Sequence, residues 1–284
     1  MVGKRKGKSN NYKIEKRELH FNFYLDRYKK EQFTRIFDVL VDNHDRIYKA
    51  VYERLKTDTD EVEKQYKEEA ERMLNGSFHP EYSDYGDFME SVRDYVYERL
   101  DEQFLMHYQF ELMSLSNLYQ VFEQQLRKWL YEEITHHLNE YINQVKFNTT
   151  EDSYDTFLGD FGKLTKLFAE LKLTFTTWFG DEELIVDTDI WRTIRECNLL
   201  SNTYKHGSGH SAENLYTLYP QYYEKVNKTR LMDLYRTTNL ERVLDVNKIS
   251  FEKYSNAMKE FWENMKEHQS GKLMMDIDVS SEKE

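Results

Sequence analysis

The sequence predicts an all-α protein, and three observations predict it. Only two prolines, Pro80 and Pro220, interrupt 284 residues. Good helix formers (Glu, Lys, Arg, Leu) run in long stretches. Apolar residues recur at three- and four-residue spacing over most of the chain, which is the pattern of a helix with one buried stripe. Hydrophobic residues are a low 39%, but 22 Tyr and 17 Phe supply much of the apolar surface. The length suits one large domain or two small ones with a real core.

The first element is an arm. Residues 1–17 hold seven Lys/Arg against one Glu, so a chain of net charge −12 carries about −18 on the remainder. Residues 1–18 therefore read as a basic, disordered terminus, with contact to RNA or an acidic partner as the rival reading. The acidic body excludes a broad non-specific nucleic-acid surface, because phosphate binding rests on Lys and Arg. A small basic pocket stays open.

Residues 19–147 read as a long-helix region. His20-Phe-Asn-Phe-Tyr-Leu25 is a short strand or a lead-in. A helix starts near Lys29 and runs through Phe33, Phe37, Leu40, Ile47 and Leu55 to the interruption at Thr57-Asp-Thr-Asp60. A charged surface helix, Glu61 to Leu74, ends at Asn75-Gly76, and a loop follows to Tyr85. Periodicity resumes near Asp87 and continues to Val145. As a single rod that stretch would span ~90 Å, so a break is expected near Met113–Asn117. The alternative is an unbroken rod that mediates dimerisation.

Residues 148–268 form the next region, entered at the boundary Asn148–Ser153. Tyr154–Phe179 reads as a helix weakened by Gly159 and Gly162, and Gly180–Thr188 as a turn. A flexible loop covers Gly207–Glu213, and an aromatic stretch runs from Leu215 to Val226. Leu240–Val246 is extended or a turn of helix. Ser250 caps a final amphipathic helix bearing Phe251, Tyr254, Met258, Phe261 and Trp262. Residues 269–284 read as a disordered acidic tail.

The centre of the chain is the helix between Asp187 and His206. Thr188 or Asp187 caps its start, Asp189 sits in the first turn, and Gly207 follows its end. At about 100° per residue, Ile190, Thr193, Ile194, Cys197, Leu200 and Tyr204 fall on a buried face. Arg192, Arg195, Asn198, Asn202, Lys205 and His206 fall on the other, with Arg195, Asn202 and His206 nearly in line. A guanidinium, an amide, an imidazole and an ammonium together suit a phosphodiester; an ordinary solvated helix face has the same look.

Other chemistries find little support. The single cysteine, Cys197, excludes an internal disulfide and fits a reducing cytoplasm; it also lies opposite His206, so the two make no nucleophile pair. The N-terminus lacks the apolar segment of a signal peptide, and no run approaches the ~20 apolar residues of a membrane span. Glu133-Ile-Thr-His136 is one Glu-x-x-His unit where di-iron bundles need two, so no metal is expected. Gly207-Ser-Gly209 follows a helix instead of opening one and is no phosphate loop. No cofactor is expected.

Asn202-Thr-Tyr-Lys-His206 followed by Gly207 resembles the motif of the HEPN superfamily, all-α bundles named for higher eukaryotes, prokaryotes and nucleotide binding. Ile194-Arg-Glu before it and Lys205-His-Gly-Ser-Gly209 after it look like HEPN-type proteins of bacterial defence and toxin–antitoxin loci. The resemblance covers roughly Leu115 to Lys266. It implies a HEPN-like helical bundle with an N-terminal long-helix extension, and a homodimer in which two such helices form one cleft. It further implies metal-independent RNA cleavage. His206 would take the proton of a ribose 2′-OH, Arg195 and Lys205 would stabilise the phosphorane, and Asn202 would orient ring or phosphate. Arg192 and Asn198 would assist binding, and Trp191 and Leu199 would flank the line as interface residues. One position departs: where the active family carries arginine, before the asparagine, this chain has Ser201. The rival is a non-catalytic protein of the same fold that binds a partner from its own locus through its long helices; a helical scaffold outside the family is the third reading.

Overall fold

The computed structural model describes residues 14–76, 84–137, 160–176 and 180–278. In chain order, strand β1 (Ile14–Tyr24) leads to α1 (Arg27–Ile47), a π-helical turn (Tyr48–Tyr52), α2 (Glu53–Thr57), α3 (Thr59–Leu74) and α4 (Tyr85–His137). Then come α5 (Phe161–Leu171), β2 (Thr174–Thr176), β3 (Glu182–Leu184), α6 (Asp189–His206) and α7 (His210–Leu218). The chain continues through β4 (Lys225–Val226), β5 (Thr229–Arg230), α8 (Leu231–Tyr235), α9 (Phe251–Asn264) and β6 (His268–Asp278). The protein is mainly helical but not all-α, since the strands pair as β1–β6, β2–β3 and β4–β5, each pair antiparallel. The expected boundary at Asn148–Ser153 and the loop around Pro80 lie outside the described residues.

Contacts divide the chain into two units. The first comprises Met1–Thr34, Val121–Arg195 and Ala257–Glu284. Its sheet joins chain segments from the two ends, in register from Ile14↔Asp278 to Tyr24↔His268. The alternation of His20–Leu25 suits this strand: Phe21, Phe23 and Leu25 point inward and are buried, while His20, Asn22 and Tyr24 point outward. Trp129 donates its indole N–H to the Tyr24 carbonyl at 3.1 Å, and its ring meets Phe23 at 5.9 Å. Trp262 stands edge-on to Trp129, and Phe261 edge-on to Phe122, which fills the core with aromatic rings.

Two expectations are corrected in this unit. Composition points to a disordered tail from Ser270, yet β6 continues to Asp278, because β1 lies antiparallel along its whole length and pairs with the backbone groups that face it. Gly271 is required there, since a Cβ would come within 2.7 Å of the Leu171 carbonyl oxygen. The helix expected to reach Phe179 stops at Leu171. Lys172 takes a left-handed turn (φ 54°), and Thr174-Phe-Thr176, β-branched and aromatic residues that suit a strand, pairs with β3 instead.

The second unit comprises Arg35–Gln120 and Glu196–Asn256. The break expected near Met113–Asn117 is absent: α4 is continuous over 53 residues. Leu112, Leu115, Ser116, Leu118 and Tyr119 are all buried, so packing on several sides holds the helix where sequence alone suggests a kink. The π-turn after α1 brings both Tyr48 and Tyr52 onto His107, at 5.7 and 5.4 Å between rings. Within Leu240–Val246 the chain bends at its start, bridges Tyr223 through Leu244 alone, and enters a 3-10 turn at Val246. Asn227 and Lys228 both have positive φ, as a two-residue hairpin loop between β4 and β5 requires. Among the described residues no helix is long and apolar enough to cross a membrane.

Candidate functional site

Helix α6 carries the expected site residues. Of its two candidate caps, Thr188 is used: its hydroxyl accepts from the Trp191 N–H at 3.2 Å and donates to the Ile185 carbonyl at 2.7 Å. The helix ends at Gly207, whose φ is +64° and whose N–H donates to the Thr203 carbonyl at 2.9 Å. Thr238 donates its hydroxyl to the Tyr204 carbonyl at 2.6 Å, covering an acceptor that the helix end leaves open.

The expected polar face divides into three groups. Arg192 is committed to its own helix start, donating to Asp189 at 3.0 Å and to the Asp187 carbonyl at 2.8 Å. Arg195 is exposed and makes no ion pair among the described residues. Eleven residues of helix, ~16 Å of rise, separate it from His206, which is too far for both to hold one phosphate. Asn202, Lys205 and His206 share the last turn and a half, with Asn202 half-buried and the other two exposed.

Asn198 is not on an open face; it is buried, as are Trp191 and Leu199. The reason is that α6 is covered on nearly every side from Glu196 to Ser201, so the two-sided reading fails there. Ser201 is fully buried, its hydroxyl 3.1 Å from that of Ser116 on α4. The position at which the sequence resemblance would call for arginine thus faces the core.

Sequence reasoning missed Arg236. It lies just past α8 with φ +56°, and its carbonyl packs so closely on Gly207 that a Cβ there would come within 2.7 Å of it. The Ser208 N–H donates to the same carbonyl at 3.4 Å. The side chain of Arg236 is exposed and makes no ion pair among the described residues. His210 is exposed at the start of α7, four residues after His206. Exposed His206 and His210 thus flank the turn at Gly207, against which the Arg236 backbone is laid, and Lys205 precedes it in the helix. Nothing in the sequence marks Arg236, because thirty positions of chain, with α7 and the β4–β5 hairpin between, separate it from His206.

Two further polar clusters emerge in the same unit. Glu196 is buried and accepts from Tyr254 at 2.8 Å, from the Tyr222 hydroxyl and from the Lys253 ammonium at 2.9 Å. Burial, reinforced by the Glu196 carboxylate, pushes both phenols far above their ordinary value. All three donors converge on one carboxylate, an anchor for α6. Elsewhere the Glu111 carboxylate lies between two histidines, one oxygen 3.1 Å from His44 Nε2 and the other 3.3 Å from His107 Nε2. His44 stacks flat on Phe251, 4.3 Å between rings. Among the described residues no group of three or more His, Cys, Asp or Glu is placed to hold a metal ion.

The fold defines a mainly helical protein with short antiparallel sheets. No family model, curated protein or solved structure matches the chain.

Proposed function

We propose that this chain binds a phosphodiester at the C-terminal end of α6 and cuts RNA there without a metal, as a HEPN-like effector of a bacterial defence or toxin-type system. The observation that carries the reading is the close approach of Gly207, the residue after His206, to the Arg236 backbone. His206 serves as the base for the 2′-OH. Arg236 and Lys205 stabilise the charge on the phosphorane, and Asn202 orients the imidazole. Arg236 takes the place that the sequence alone assigns to Arg195. A homodimer that closes the cleft uses surfaces other than Trp191 and Leu199, since both are buried.

The inward-facing Ser201 favours a second reading, a non-catalytic protein of this class that holds RNA or a protein from the same locus. Incubating purified protein with single-stranded RNA in excess EDTA separates them. Cleavage that disappears in His206→Ala supports the nuclease. Cleavage that survives the substitution rejects it, and binding without cleavage selects the second reading.

A further inference from the structure

The two-stranded sheet of the first unit leaves one edge of β6 open. Leu25 donates its N–H to the Glu267 carbonyl at 2.9 Å, which makes these two a hydrogen-bonded pair at the end of the ladder. Tyr24, one step along, turns its own groups away from β6 to α4, its N–H to Glu133 at 2.9 Å and its carbonyl to Trp129. Alternation along the register therefore turns the N–H and C=O of Ser270, Lys272 and Met274 away from β1. These backbone groups find no partner among the described residues. A groove of about 820 Å³ lies against Ser270–Met274, lined as well by Glu170, Leu171 and Lys172. Neither a proline nor a bulge interrupts the eleven residues of β6, and an unblocked edge of this kind is a template for another strand.

The sequence of β6 fits a second copy of itself. Antiparallel pairing about a two-fold axis has to set outward-turned residues against each other, so the axis falls on a residue and not between two. With the axis on Met274, that residue meets its copy, and Lys272 stands opposite the copy's Asp276 on both sides. The alternate positions set Leu273 against Met275 and Gly271 against Ile277, apolar residues throughout. Other registers lose this match. An axis on Leu273 sets Lys272 against Met274, one on Lys272 sets like charges together, and one on Met275 sets Met274 against Asp276.

Met274 is 61% exposed in the single chain, an apolar side chain that such a partner covers. Lys272 is bonded to Glu18 at 2.9 Å but stays half exposed, and an ammonium has donors for a second carboxylate. The axis on Met274 also keeps the two copies of α5 apart, because α5 meets β6 at Gly271 through Leu171.

We infer that the open edge of β6 joins the same edge of a second copy, antiparallel and centred on Met274, making one four-stranded sheet from two ribbons. The pairing concerns the first unit alone and stands whether or not RNA is cut.

Sedimentation of the full chain across micromolar concentrations tests it, and the expected result is a monomer–dimer equilibrium. Met274→Lys sets two ammonium groups on the axis and should leave a monomer over the same range, with thermal melting showing the fold intact. Lys272→Asp should also dissociate the dimer, and adding Asp276→Lys should restore it, a rescue that a role within one chain does not produce. On mild oxidation Met274→Cys should cross-link two chains, since a hydrogen-bonded pair holds its Cα atoms about 5.5 Å apart. Ser270→Cys, opposite the copy's Asp278, should not, and the native Cys197 is buried. The proposal is overturned if the chain stays monomeric, if the dimer survives in folded Met274→Lys protein, or if Ser270→Cys cross-links as readily as Met274→Cys.

Discussion

The hydroxyls of Ser201 and Ser116 lie 3.1 Å apart inside the second unit, and both residues are buried. This pairing fixes what the position before Asn202 can accept. A guanidinium placed there has neither water nor an anion to meet. Ser201→Arg is therefore expected to lower stability by roughly 3 kcal/mol or more, and to leave RNA cleavage no higher than in the wild type. Urea unfolding with a parallel RNA assay checks it; a stable variant with raised activity shows that the position opens to the site.

Glu196 collects the hydroxyls of Tyr222 and Tyr254 and the ammonium of Lys253. Glu196→Ala leaves the two buried phenols, 3.1 Å apart, only each other to bond, and breaking such a network costs about 3–5 kcal/mol. Glu196→Gln keeps an acceptor and is expected to lose clearly less. Lys253 is 45% exposed and regains water in either case, so most of the loss belongs to the phenols. Denaturant midpoints for the two variants settle the order, and equal losses contradict it.

The Glu111 cluster makes stability depend on pH in two opposite ways. Burial pushes the Glu111 carboxyl up, but His107 and His44 outweigh burial and hold it at about 2, below its ordinary 4.5. Its contribution is complete above pH 4.5 and is lost as pH falls towards 2. Burial pushes His44 down, yet Glu111 and Asp45 outweigh it and leave its pKa above the ordinary 6.5. That contribution is complete below pH 6.5 and is lost as pH rises through the raised value. The stabilisation from this cluster should therefore peak between about pH 4.5 and 6.5. Glu111→Gln should flatten both limbs in urea midpoints measured across pH; an unchanged profile contradicts the assignment.

The ends of α6 were legible because caps are local chemistry: Thr188 and Gly207 are recognisable from a few neighbouring residues. So was the aromatic core, whose spacing marks Phe122, Trp129 and Trp262 without any knowledge of the partners. What failed was non-local. Strand β6 looks like a polar tail until β1 is laid beside it, with Lys272 reaching Glu18 at 2.9 Å across nearly the whole sequence. Asn198 and Leu199 were misplaced because helical period assumes one covered face, and α6 is covered nearly all round at that point. Arg236 was missed because its place beside Gly207 is set by tertiary packing alone.

The account rests on Arg236, not Arg195, accompanying His206. Anisotropy titration of a labelled single-stranded RNA at fixed salt compares wild type, Arg236→Ala and Arg195→Ala directly. Arg236→Ala is expected to weaken binding about tenfold or more and to reduce the salt dependence by about one phosphate contact, with Arg195→Ala close to wild type. A large loss in Arg195→Ala with none in Arg236→Ala would contradict the site at the end of α6.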